Sequence, residues 1–146
     1  MLHTRICDLL GIEHPIISAP MGSAAGPQLA AAVSEAGGFG MIGTGIGPTG
    51  TWMREQINIA RELTDKPFGV GFITSSLGFE DAIQVCLEER VAAIGHSFAD
   101  ASPYIPAGTC SGSAIANQLS STNLGSFSQF PGKTCICTST CATKTN

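Results

Sequence analysis

Two spacings of apolar residues alternate along the first hundred positions of the chain. Four short runs, PIISAP at 15–20, GFGMIG at 38–43, PFGVGFI at 67–73 and VAAIGHSF at 91–98, are almost continuously apolar. Runs of that length without polar alternation predict strands covered on both faces, as in a parallel sheet. Between them the period lengthens. PQLAAAVSEAG opens on Pro27 and closes on Gly37, residues that favour a helix start and a helix stop. Thr51 to Asp65 sets Met53, Ile57, Ala60 and Leu63 on one helical face, and FEDAIQVCLEER does the same with Phe79, Ile83 and Cys86.

Strand and helix therefore alternate through about four or five βα units, the pattern of a parallel sheet covered by helices. A doubly wound sheet would carry a Gly-rich phosphate turn between its first strand and first helix. SAPMGSAAGPQ has no GxGxxG and puts Pro20 at that turn. The expected fold is of the (β/α)8 TIM-barrel type, truncated to about four or five βα units with an irregular C-terminal tail. Its chemistry would sit on the loops at strand C-terminal ends, where Met21, Gly43, Phe72 and Ser97 fall.

Composition bounds the partners. A chain of 146 residues, 43% hydrophobic and 12% charged, can bury the core of one ordinary domain. Its net charge of −4 and lack of a basic stripe argue against a nucleic-acid partner. No uncharged run supplies the roughly 20 apolar residues of a spanning helix, and MLHTRICDLLG lacks a secretory apolar core. A soluble, cytoplasmic chain without a membrane partner is expected.

Charge also divides the chain. All eleven Asp and Glu lie between Asp8 and Asp100, whereas from Gly108 onward the only charged residues are Lys133 and Lys144. Residues 1–107 read as the N-terminal part of a barrel, and 108–146 as a Ser/Thr/Cys-rich tail, disordered or non-homologous. Readthrough of a frameshifted or mis-spliced exon would explain the loss of charge. SAIANQLSS within the tail is a candidate fifth strand.

The first strand stops at Ala19-Pro20-Met21-Gly22, where side chains are small and main chain is laid bare. If a flat aromatic cofactor crosses the mouth of a barrel, small residues and the fixed φ of Pro20 allow the main chain to approach it. The competing reading is a plain strand-to-loop turn.

PIISAPMG, LAAAVSEAGGFGMIGTG and RELTDKPFGVGF, in this order, resemble the nitronate monooxygenase family, formerly the 2-nitropropane dioxygenases, over about residues 7–107. The resemblance implies an FMN-dependent (β/α)8 barrel that oxidises alkyl nitronates with O2 to carbonyl compounds and nitrite. It implies main-chain contacts from Ala19, Pro20, Met21 and Gly22 to the flavin. Many members carry Asn at the position of Gly71, where its side chain serves the cofactor, and a subgroup reads FGVGF as here. Related FMN-dependent enoyl reductases share much of the pattern. The catalytic His and the phosphate loops of the family belong to the second half of the barrel and have no counterpart motif in this sequence.

Other candidates are weighed on their chemistry. His96 ends the fourth run near the presumed mouth and is the candidate catalytic base, against a packed strand histidine. His3 and His14 precede the first strand and are set aside. Cys135, Cys137 and Cys141 offer CxC and CxxxC spacing, yet no His follows Cys110 to complete a zinc set, so no metal is expected. A closed barrel takes about 250 residues. Four or five units would leave open strand edges, and self-association through them is expected. The alternatives to an active nitronate monooxygenase are a catalytically inactive truncated relative, an interaction fragment, or an enoyl reductase.

Overall fold

A computed structural model describes residues 2–73 and 78–97, together with strands at 114–118, 128–130 and 133–137. Its elements are helix α1 (Arg5–Leu10), helix α2 (Pro27–Glu35), strand β1 (Gly40–Gly43), helix α3 (Gly50–Leu63), strand β2 (Phe68–Ile73), helix α4 (Glu80–Glu88) and strand β3 (Ala93–Ser97). Three further strands follow, β4 (Ala114–Gln118), β5 (Ser128–Phe130) and β6 (Lys133–Cys137). They form one sheet in the order β1-β2-β3-β4-β6-β5, with every pairing parallel except β5 with β6.

Each strand from β1 to β4 lies beside its successor, and helices α2, α3 and α4 pack on one face. Phe68, Val70 and Phe72 of β2, Ile42 of β1 and Ile94 of β3 join Ala30 of α2, Met53, Ile57 and Ala60 of α3, and Ala82, Ile83 and Cys86 of α4 in a single core. Side chains alternate across a strand, so Phe39, Met41 and Ala93 point to the opposite face. There they meet Cys7 and Leu10 of α1 and the following Ile12. Sequential strand order, with the helices α2, α3 and α4 between strands on one face and only the N-terminal α1 on the other, is the wrapping of a (β/α) barrel. A doubly wound sheet reverses its order and carries helices on both faces.

Two expectations are corrected by the structure. The strand expected at 15–20 is a single parallel bridge, Ile17 with Phe39. Ser18 N–H donates to Phe39 O at 3.0 Å and Phe39 N–H to Ile16 O at 2.8 Å, but Pro15 and Pro20 bracket the segment and bring no N–H to extend the ladder. Leu63, expected on the buried stripe of α3, is half exposed in the last turn, while Met53, Ile57 and Ala60 are fully buried. After residue 107 the described residues are strands β4, within SAIANQLSS, β5 and β6; the other positions of the segment expected to be disordered or non-homologous lie outside the described residues. Among the described residues no helix is long and apolar enough to cross a membrane.

Candidate functional site

Because β1, β2 and β3 are parallel, their C-terminal ends Gly43, Ile73 and Ser97 share one side of the sheet. The chain from Ala19 to Gly22 crosses that side over the face turned away from the helices. It is held by three anchors. Ser18 Oγ accepts from Met41 N–H at 2.9 Å. Met21 O accepts from Ala24 N–H at 2.8 Å and Ala25 N–H at 3.0 Å, closing a short 3-10 turn over Gly22–Ala24. Ala25 O accepts from Gly43 N–H at 2.8 Å.

The crossing rests on two glycines that face it. A Cβ at Gly71 would lie 2.3 Å from Cβ and 2.4 Å from Cγ of Pro20, and one at Gly43 would lie 2.6 Å from the Gly22 nitrogen. Both distances are far inside van der Waals contact, so with the crossing seated as it is here a side chain at either position would require it to shift. The carbonyl of Gly71 is fixed from β1, since Thr44 donates to it from Oγ1 at 3.0 Å and from its N–H at 3.2 Å. Ala19, Pro20 and Met21 are exposed on their outer side, Met21 by 52%. What results is a ledge of bare main chain with one thioether.

The five positions expected to serve a cofactor are thus gathered at one place: Ala19, Pro20, Met21 and Gly22 form the ledge and Gly71 lies beneath it. Ser18, Gly43 and Thr44, which the sequence reading did not assign to the ledge, hold it. Their roles are contacts between segments distant in sequence, so no local motif announces them.

His96 is elsewhere. It shares register with Phe72 and alternates with Gly95 and Ser97, which puts it on the helix-facing side with Ile94. It is fully buried, and its ring stacks on Phe72 with centroids 6.3 Å apart. Burial pulls its pKa down to about 4, so the imidazole is neutral at neutral pH. The ledge and His96 lie on opposite faces of the sheet. His3 pairs with Asp8 at the surface, 2.8 Å apart.

Two concavities lie away from the ledge. One of about 680 Å³ runs between α3 and α4, lined by Arg54, Asn58, Asp81 and Glu88 among others. The other, about 330 Å³, sits at the entrances of β2 and β3 beside Arg61, Lys66 and Arg90. Among the described residues no cluster of His, Cys, Asp and Glu could hold a metal ion.

Comparison with known proteins converges on the same stretch of chain. The nitronate monooxygenase of Pseudomonas aeruginosa is 47% identical over 77 residues, 53% of this chain and 22% of that protein. A (3aS,4S,5R,7aS)-5-hydroxy-7a-methyl-1-oxo-octahydro-1H-indene-4-carboxyl-CoA dehydrogenase of Rhodococcus jostii is 34% identical over 90 residues, 62% of this chain and 25% of that protein. The chain therefore spans a quarter or less of the length of these relatives. Among solved structures, FabK from Thermotoga maritima superimposes with a TM-score of 0.77 at 41% identity, over 80% of this chain and 37% of that one. The sequence profile described as nitronate monooxygenase matches residues 3–101, the βα units that carry the ledge, and the chain belongs to the nitronate monooxygenase family.

Proposed function

We propose that this chain is the flavin-facing part of an FMN-dependent oxidoreductase that oxidises alkyl nitronates with O2 to carbonyl compounds and nitrite. The observation that carries the reading is the Ala19–Gly22 ledge, seated on Gly43 and Gly71 at the strand C-terminal ends within the matched region. Barrel enzymes place their chemistry on that side of the sheet.

The residues present suit the flat ring of a flavin. Ala19 and Pro20 offer an exposed surface without a bulky side chain, and Met21 adds one flexible thioether, so main-chain groups could meet the ring and hold its orientation. FMN, when bound, supplies the electron transfer. The chain's own part is to fix the plane against which substrate stacks and to keep water from the covered side. An alkyl nitronate is already deprotonated at carbon, so its oxidation needs no base to remove that proton. This agrees with a ledge from which His96 is separated by the sheet.

Similarity to FabK over the same units supports a second reading, an FMN-dependent enoyl reductase. Purified protein supplied with FMN and propane-2-nitronate, assayed for nitrite, and in parallel with NADH or NADPH and a 2-enoyl thioester, separates the two. Nitrite release that depends on the flavin is the expected result. Enoyl-dependent consumption of nicotinamide without nitrite would establish the second reading, and flavin binding with neither reaction would overturn the first.

A further inference from the structure

Resting on the reading of the ledge as a flavin platform, we propose that Ile73 and Ile46 are specificity-determining residues: with Met21 they form an apolar rim at the strand exits that takes the alkyl group of the nitronate.

Along β2, Phe68, Val70 and Phe72 enter the core beneath the helices. Alternation turns Ile73 to the other face, the one the ledge crosses. The crossing passes over β2 at Gly71, and Ile73 stands two residues nearer the exit, about 7 Å further along the strand. Unlike the core residues of its strand, Ile73 is 39% exposed. Ile46 belongs to the loop that leaves β1. It follows by three residues Gly43, which lies against the Met21-Gly22 backbone, so its Cα is within about 11 Å of that position. Its side chain is 86% exposed, more than any other large apolar side chain among the described residues.

The loop is shaped to hold Ile46 in that place. Gly45 and Gly47 have φ of +66° and +64°, and a Cβ at either would meet nothing within 4 Å. Their missing side chains therefore serve the turn of the backbone, not the space of a neighbour. Both ends of the loop are pinned. Thr44 donates twice to Gly71 O, Pro48 is buried, and Thr49 Oγ1 accepts from Trp52 N–H at 3.2 Å to cap α3. Between these anchors stands a β-branched side chain, stiff about χ1 and open to solvent.

A single exposed apolar residue is ordinary. Here three segments, the ledge, the loop after β1 and the end of β2, each bring one to the same side of the sheet, the pattern of a ligand-binding surface. No charged residue occurs from Pro15 to Ser34 or from Ala36 to Met53, so the segments carrying Met21 and Ile46 give a charged substituent no ionic partner. They suit an alkyl chain, which gains by leaving water. A nitronate group stacked over the ledge would leave its chain to run out across this rim.

Straight-chain alkanoates test the proposal, because a carboxylate has the charge and planar shape of a nitronate and does not react. Calorimetric titrations of the full chain loaded with FMN, from acetate to hexanoate, should show affinity rising about twofold to fourfold per methylene. Ile73→Thr, which keeps the branched shape suited to a strand, and Ile46→Ser should each flatten that series. Hexanoate should weaken by about fivefold or more, with acetate and FMN bound as in wild type. Leu63→Ser, at a half-exposed apolar position in the last turn of α3, should bind every alkanoate as wild type does.

Wild-type gains per methylene in both Ile73→Thr and Ile46→Ser would overturn the proposal. If Ile73→Thr fails to fold, Ile46→Ser, which alters an exposed loop side chain, decides it alone. A wild-type chain that binds FMN but gains nothing with alkanoate length would sink the rim and leave the ledge reading standing. A chain that takes up no flavin would overturn the ledge reading, and the rim with it.

Discussion

His96 lies directly across the β2–β3 ladder from Phe72, and the two rings stack 6.3 Å apart on the sheet face turned to the helices. Burial there pulls the histidine pKa from 6.5 to about 4. The unfolded chain therefore takes up the proton first. Stability from this site is complete above pH 6.5 and is lost as pH falls from 6.5 toward 4. The full shift corresponds to a loss on the order of 3 kcal/mol. Urea titrations at several pH values should show His96→Gln with a flatter acid limb than wild type between pH 6.5 and 4. Parallel limbs in the two proteins would mean that His96 does not titrate as its burial requires.

That face could not be read in advance. A strand of a parallel sheet is buried on both sides, so the run VAAIGHSF carries no alternation to say which side His96 takes. The strand positions themselves were legible, because apolar runs at 38–43, 67–73 and 91–98 contrast with helical stripes such as Met53, Ile57 and Ala60. Helix α1 was not: with six residues it is too short to present a stripe. The ledge was legible as a sequence of small residues, Ala19 to Gly22. Its support was not, since the contacts of Pro20 with Gly71 and of Gly22 with Gly43 join segments some 20 to 50 positions apart. Those contacts exist only once the sheet has closed them.

Ser34 clasps α2 to the sheet. Its buried Oγ donates to Pro67 O at 2.9 Å and accepts from Gly40 N–H at 3.1 Å. Ser34→Ala removes that partner from two buried main-chain groups and should destabilise the protein by about 1–3 kcal/mol. Beside it, Gly40 lets the helix approach so closely that a Cβ would sit 1.9 Å from Ala30 O. Gly40→Ala should be the more damaging change, about 3 kcal/mol or beyond, because helix backbone must move rather than a side chain. Denaturant midpoints of the two variants check the order. A milder Gly40→Ala would show that α2 slides freely on β1.

The segment 16–18 forms the sheet edge beyond β1. Ile16 O and Ser18 N–H are used on Phe39, which leaves the main-chain groups of Ile17 directed outward, beside side chains of Ile16 and Ile17 that are 62% and 48% exposed. No charge interrupts PIISAP, so between Pro15 and Pro20 the edge is guarded against pairing with another strand only by the prolines that flank it. Sedimentation velocity at rising protein concentration should reveal self-association that Ile17→Lys reduces. An unchanged distribution in Ile17→Lys would move the contact to another edge.

The last prediction concerns which end of the cofactor is held. Arg54 and Arg61 lie on α3, where they bridge to Glu88 and Glu89 on the outer surface. Lys66 and Arg90 stand at the entrances of β2 and β3, Lys133 opens β6, and Arg5 belongs to α1, which packs against Phe39 at the entrance to β1. Among the described residues, then, the cationic positions are on the helical surface or toward the strand entrances, away from the ledge at the strand exits. A phosphate held near the ledge would need main-chain N–H donors or a cation close by to offset its desolvation. The ledge offers the ring a surface, and among the described residues no cationic side chain stands beside it to take the phosphate. Fluorescence titrations with FMN and riboflavin should therefore give dissociation constants within about threefold of each other, a difference below 1 kcal/mol. Both constants should respond little to salt, since no phosphate contact is being screened. FMN binding a hundredfold tighter than riboflavin, and weakened by added salt, would locate a phosphate site on this chain and overturn the assignment of the ledge as a platform for the ring alone.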